Sequence, residues 1–180
     1  MTGLLINAVI LAVLLNFPDA GFDYQPKELK REIEKLSGCS KPLSEVFLPD
    51  KTDIAHSGRF FKYSNAEPVR YAYIGRVFTC RAEGCSATAN INSGDRTEFF
   101  DYFILYGADA RILSVQVFNY EATHGHGITV KSWLKQFIGF HGEKSLNVGK
   151  EIDAIAGATI SVHSITDDIT VRTRILKEQL

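Results

Sequence analysis

The rhythm of polar and apolar residues changes along this chain, and each change predicts a different element. Between Pro26 and Leu36, the side chains of Leu29, Ile33 and Leu36 share one stripe among charged neighbours, the spacing of a short amphipathic helix. Pro26 stands near its start, where proline is tolerated, and Gly38 ends it. Pro42 to Asp53 reads as a linker holding the apolar cluster Val46-Phe47-Leu48. Strand-like runs follow at Gly58–Tyr63, Val69–Thr79, Phe99–Tyr106 and Ile112–Asn119. In the last, Ile112, Ser114, Gln116 and Phe118 alternate with Leu113, Val115, Val117 and Asn119, the pattern of a half-buried strand. Gly107-Ala108-Asp109-Ala110 joins the last two runs and predicts a hairpin. Ser86 to Arg96, rich in Asn, Ser and Gly, reads as an exposed loop. Val130 to Ile138 predicts a helix and Gly139 to Gly142 a turn. Near the end, Ile165 and Ile169 recur four apart, with Ile175 and Leu176 two turns on, so a second amphipathic helix closes the pattern. Asp167 and Asp168 precede Arg172, Arg174 and Lys177 along it, the charge order a helix dipole favours. The sum is an α+β fold: an antiparallel sheet with packed helices.

Composition narrows the function classes. The chain has 180 residues, enough for one domain with an N-terminal appendage, and its 45% hydrophobic content supports a real core. A formal net charge of −1 provides no basic footprint for nucleic acid. Leu4 to Leu15 is apolar except for Asn7, too short for a membrane span of about 20 residues but suited to the apolar core of a secretory signal. No Lys or Arg precedes it, and Pro18-Asp19-Ala20 is a poor cleavage site. The expected organisation is a signal peptide or short membrane anchor over residues 1–21, an N-terminal helix and linker over 22–68, and the main domain over 69–180. Cys80 and Cys85 either close a small disulfide loop, which an oxidising compartment would preserve, or remain two thiols. Together with Cys39 they are too few for an iron–sulfur cluster, and no Cys-x-x-Cys-His marks haem attachment.

The candidate chemistry lies in Asp153-Ala154-Ile155-Ala156-Gly157-Ala158-Thr159-Ile160-Ser161. Gly157 and Ala158 offer almost no side chain to obstruct a bulky group approaching the backbone. A hydroxyl at a helix N-terminus is well placed for a phosphate, because free N–H groups and the dipole both favour an anion there. The segment therefore reads as a phosphate held at, or bonded to, Thr159; the plainer alternative is a helix start with a Ser/Thr cap. This stretch resembles the flavinylation motif of the FMN-binding domain family, roughly Asp-x-x-Ser/Thr-Gly/Ala-Ala-Thr-x-Ser/Thr. That family includes the C subunit of the sodium-pumping NADH:quinone reductase and the G subunit of Rnf-type complexes. Asp153, Gly157, Ala158, Thr159 and Ser161 match, while Ala156 stands where the family usually has a hydroxyl residue.

A second segment shares the resemblance. Glu121-Ala122-Thr123-His124-Gly125-His126-Gly127, followed by Trp133 to Gly139, is similar to the family's Glu-Thr-Pro-Gly-x-Gly-like loop and its aromatic segment, with Thr123-His124 in place of Thr-Pro. The resemblance spans about Tyr71 to Ile175. It implies FMN as cofactor, joined by a phosphoester to Thr159, with Asp153, Gly157, Ala158, Ser161, Glu121, Thr123, His124, Gly125 and Gly127 as further cofactor-binding residues. It also implies a flavin transferase that uses FAD as donor, redox partner proteins or membrane-complex subunits, and a location in the periplasm or on the outer face of the inner membrane.

Other chemistries fit less well. His124-x-His126 lacks the complete ligand set of a zinc site. Neither a Gly-x-Gly-x-x-Gly dinucleotide loop nor a Walker sequence occurs, and no nucleophile elbow supports Ser-His-Asp hydrolysis. The expected function is therefore an electron-transfer flavoprotein or a subunit of an oxidoreductase complex, not a self-contained dehydrogenase. The competing class is a non-redox binding domain of the same fold that has lost flavin.

Overall fold

The computed structural model describes residues 22–38, 44–46 (backbone only), 58–63, 66–79 and 98–180. The proposed export segment Leu4–Leu15, the loop Ser86–Arg96, His56, and Cys39, Cys80 and Cys85 lie outside the described residues.

Five strands form one antiparallel meander: β1 (Ser44–Val46), β2 (Gly58–Lys62), β3 (Tyr71–Phe78), β4 (Phe99–Tyr106) and β5 (Ile112–Tyr120), each paired with its sequence neighbour. The α+β class follows from this sheet and its helices. β1 lies inside the segment expected to be a linker, where only backbone pairing to β2 marks the strand. The sheet thus extends N-terminal of residue 69.

β4 lies between β3 and β5 and is buried on both faces, which explains its near-continuous apolar run. Its alternate residues feed two cores. Phe103 and Leu105 join Ala72, Ile74 and Phe61 beneath Leu29 and Ile33 of α1 (Lys27–Ser37). Phe100, Tyr102, Ile104 and Tyr106 face the opposite way, toward α2 (Lys131–Leu134) and α3 (Thr159–Glu178). The expected helix over Val130–Ile138 is in fact a 3₁₀ turn at His126–Thr129, then α2, then another 3₁₀ turn at Lys135–Phe137. Trp133, Leu134 and Phe137 enter the same core. The one charged residue of β4, Asp101, is satisfied across the sheet: Arg76 on β3 donates to it at 2.7 and 3.0 Å, and Asn119 on β5 at 2.9 Å.

α3 departs from its sequence reading in an instructive way. Ile165, Ile169 and Leu176 are buried as the periodicity requires, but so are Asp168 and Arg172. Their charge order is the one a helix dipole favours, and the two also form an ion pair inside the core, with Arg172 Nε 3.1 Å from Asp168 Oδ1. Tyr102 donates its hydroxyl to Asp168 Oδ2 at 2.5 Å. Burial, then the negative charge of Asp168, pushes the Tyr102 phenol well above its ordinary value, so it remains a donor. The Arg172 guanidinium lies 5.0 Å from the centre of the Tyr73 ring. That ring covers the paired Gly58 and Gly75, where a side chain would collide with it.

Tyr102→Phe removes the neutral donor and leaves the buried Asp168 carboxylate short of a partner. The expected loss is about 2 kcal/mol in urea unfolding, with an unchanged m value. Tyr106→Phe removes a longer, neutral contact to Thr173 (3.2 Å) and should cost about 1 kcal/mol or less.

Candidate functional site

One end of the sheet meets the N-terminus of α3, and a cleft opens there. Its volume is about 310 Å³, and its lining combines Thr79, Glu98, His124, Gly125 and the run from Gly157 to Ser161. The sheet contributes through the ends of its strands. Thr79 follows β3 and Glu98 precedes β4, joined by a hydrogen bond from Thr79 N–H to Glu98 O at 2.8 Å. The loop carrying His124 and Gly125 leaves β5, secured at its root by Glu121 N–H donating to Phe99 O at 2.9 Å.

Two glycines let this loop meet the threonine segment. Gly125 has φ +88°, and a Cβ there would stand 2.5 Å from Ser161 Oγ and 2.8 Å from the Tyr120 hydroxyl. A Cβ on Gly127 would stand 2.8 Å from Ile155 Cγ2. Tyr120 ties the junction. Its hydroxyl donates to His124 O at 2.5 Å, so its oxygen accepts from Ser161 Oγ at 3.2 Å. Burial raises the Tyr120 phenol above its ordinary value; the Ser161 bond works against this and the charge of Glu98 adds to it. The hydroxyl therefore stays a donor at neutral pH.

The side-chain bonds also assign protons. A Glu98 carboxylate can only accept, and Thr123 donates to its Oε1 at 2.5 Å, with the Thr123 N–H a second donor at 3.2 Å. The Thr123 hydroxyl has then spent its proton, so it accepts from His124 Nδ1–H at 2.9 Å. Nε2 is left as the ring's acceptor nitrogen. The His126 ring packs against Tyr120 with 4.5 Å between centroids.

Opposite the sheet, α3 begins at Thr159 after an Ala158 that makes no side-chain cap, and its first turn carries no acidic residue. Val162 N–H donates to Ala158 O at 2.9 Å; among the described residues, no acceptor takes the N–H groups of Thr159, Ile160 and Ser161. Thr159 is exposed, Ala158 buried, and Gly157 sits at φ +75° with open space where a side chain would be. The donor set of this wall is that of an anion site. On the facing wall, the Thr79 hydroxyl is buried and has no hydrogen-bond partner among the described residues.

Of the residues singled out in the sequence, Thr159, Gly157, Ala158, Ser161, His124 and Gly125 line the cleft. Thr123 stands behind it, bonded to Glu98 and His124. Glu121 is exposed and not part of the lining, and Gly127 packs against Ile155 instead. Asp153 is also off the lining; its backbone holds the segment in place, accepting from Trp133 Nε1 and donating to Gln136 Oε1, each at 2.8 Å. Sequence reasoning missed Thr79 and Glu98, which carry no motif and reach the cleft only because strands end there, and Tyr120, which bonds two lining residues from outside it. Among the described residues, no three His, Cys, Asp or Glu side chains are grouped to hold a metal, and no helix is long and apolar enough to cross a membrane. No family model, curated protein or solved structure matches this chain.

Gly125→Ala should separate the loop from α3, since it adds left-handed backbone strain to a collision. The expected destabilisation is about 2–4 kcal/mol by urea unfolding. Gly157→Ala meets open space and should cost only the strain, about 1–2 kcal/mol.

Proposed function

We propose that this chain is an extracytoplasmic flavoprotein of the FMN-binding domain type, carrying FMN by a phosphoester at Thr159 and relaying electrons between redox partners. The observation that supports it best is the convergence of two segments distant in sequence, His124-Gly125 and Gly157–Ser161, on one cleft at a helix N-terminus. The residues present fit such a group. Unclaimed N–H groups at Thr159, Ile160 and Ser161 suit the phosphate, and Gly157 and Ala158 leave its approach open. Ala156, where the family has a hydroxyl residue, is exposed and does not line the cleft.

FMN, when bound, supplies the electron chemistry; the protein supplies position and electrostatics. Here the N–H groups at the α3 N-terminus would favour the negative charge of the phosphodiester. Tyr120 and Ser161 hold the loop against the helix and so keep the cleft walls together. Maturation would require a flavin transferase, and function would require redox partner proteins or membrane-complex subunits. The competing reading, a non-redox binding domain that has lost flavin, draws on Glu98, whose charge opposes an anion on the same cleft.

Co-expressed with a flavin transferase, the wild type should give a fluorescent band on a denaturing gel and gain the mass of FMN less water. Thr159→Ala should abolish both, and Thr159→Ser should retain part of the signal. A fluorescent Thr159→Ala band would place the attachment elsewhere. The extracytoplasmic location rests on Leu4–Leu15 and on the family's outward-facing domains. Fractionation of the native cell should find the protein in the membrane or outside the cytoplasm; a predominantly cytoplasmic pool would refute the assignment.

A further inference from the structure

Alternation along the strands puts Arg76, Phe78 and Phe99 on the same face of the sheet as Ile74 and Phe103, the face that α1 covers. The packed cores stop short of this corner, where β3 ends and β4 begins. Phe78 and Phe99 belong to neither core, and Phe78 is 38% exposed. What gathers there is a row of aromatic rings interleaved with guanidinium groups. Arg76 lies 3.7 Å from the centre of the Phe99 ring and 5.2 Å from that of Phe22. Phe78 meets Phe99 edge-on, with 6.3 Å between centroids. Phe22 meets Tyr24 at 4.4 Å, and Arg59 stands 4.6 Å over the Tyr24 ring.

We propose that the corner formed by Phe22, Tyr24, Arg76, Phe78 and Phe99 is a membrane-contacting surface, lying on lipid beside an inserted Leu4–Leu15. Chain length ties the two together. Phe22 follows Leu15 by seven residues. Seven extended residues reach about 25 Å at most, so a membrane that holds Leu4–Leu15 lies within that distance of this corner. Twelve apolar residues are too few to span a bilayer, and a weak anchor holds firmly only with a second attachment. Aromatic rings beside guanidinium groups suit the boundary between head groups and acyl chains, where the rings reach inward and the cations stay among the head groups. Asp101 matches the charge of Arg76, so contact of the rings with lipid, not attraction to anionic head groups, carries the association. The inference rests on the reading of Leu4–Leu15 as an anchor kept in the membrane, and it adds the face that the domain turns toward that membrane. Thr79 follows Phe78 and Glu98 precedes Phe99, so the cleft opens at the same end of the sheet.

The test uses the full chain mixed with phosphatidylcholine vesicles whose acyl chains carry bromine, a contact quencher of tryptophan fluorescence. The chain's one tryptophan, Trp133, is buried and provides the baseline. Phe78→Trp adds a reporter at the corner. Ile138→Trp adds one at the far end of the sheet, where Gly139 N–H donates to Ile112 O. Ile138 is the more exposed of the two, at 50%, so exposure alone would favour quenching there. The expected result is loss of the added fluorescence in Phe78→Trp and no loss beyond wild type in Ile138→Trp. A loss in Ile138→Trp as large as that in Phe78→Trp overturns the proposed face. So does an unquenched Phe78→Trp that floats with the vesicles, and both results leave the anchor reading intact. A wild type that does not float with vesicles overturns the anchor reading and this surface together, without touching attachment at Thr159.

Discussion

The cleft depends on the position of α3, and a buried carboxylate fixes that position. Asp168 lies inside the core, bonded to Arg172 on its own helix and to Tyr102 on β4. An ion pair removed from water contributes little net stability, because desolvation offsets the attraction. Its consequence is register. Sliding α3 along the sheet would carry Asp168 away from Tyr102 and strand a charge in an apolar core. The helix is therefore held lengthwise, and its first turn is held against the strand ends.

That restraint creates a cleft with two unlike walls. One wall is the start of a helix, rich in unclaimed N–H groups. The other is the end of a hairpin, with a carboxylate and a buried hydroxyl. Neither wall is a site alone. The loop between them closes the arrangement because glycine at Gly125 allows contact with Ser161, and Tyr120 bonds to both sides. Thr123 links Glu98 to His124 through a single hydroxyl, which donates to the first and accepts from the second.

Much of the architecture was legible from periodicity. The run Phe99–Tyr106 matches β4 residue for residue, and Ile112–Asn119 differs from β5 by Tyr120 alone, because alternation and an intervening turn are local properties. Of the candidate site, Gly157, Ala158, Thr159 and Ser161 stood out because small residues before a helix start have a meaning that needs no tertiary context. β1 was not legible, since a three-residue edge strand is defined by its partner's hydrogen bonds and not by its own pattern. The segment around α2 was only half legible; its apolar residues were evident, but the break into 3₁₀ turns follows from fitting Trp133 and Phe137 into one core.

The sequence by itself determined the class of fold, the β4–β5 hairpin and the hydroxyl at the head of the last helix, all of which follow from spacing within a few residues. Only the tertiary structure decided that His124 and Gly125 share a cleft with Thr159, that Asp153 acts through its backbone toward Trp133, and that Asp168 and Arg172 are buried instead of solvated. It also decided that Thr79 and Glu98 line that cleft. The reason is one of range: a hydrogen bond or a cleft wall depends on distances of a few ångströms between residues far apart in the chain, and no local pattern records them.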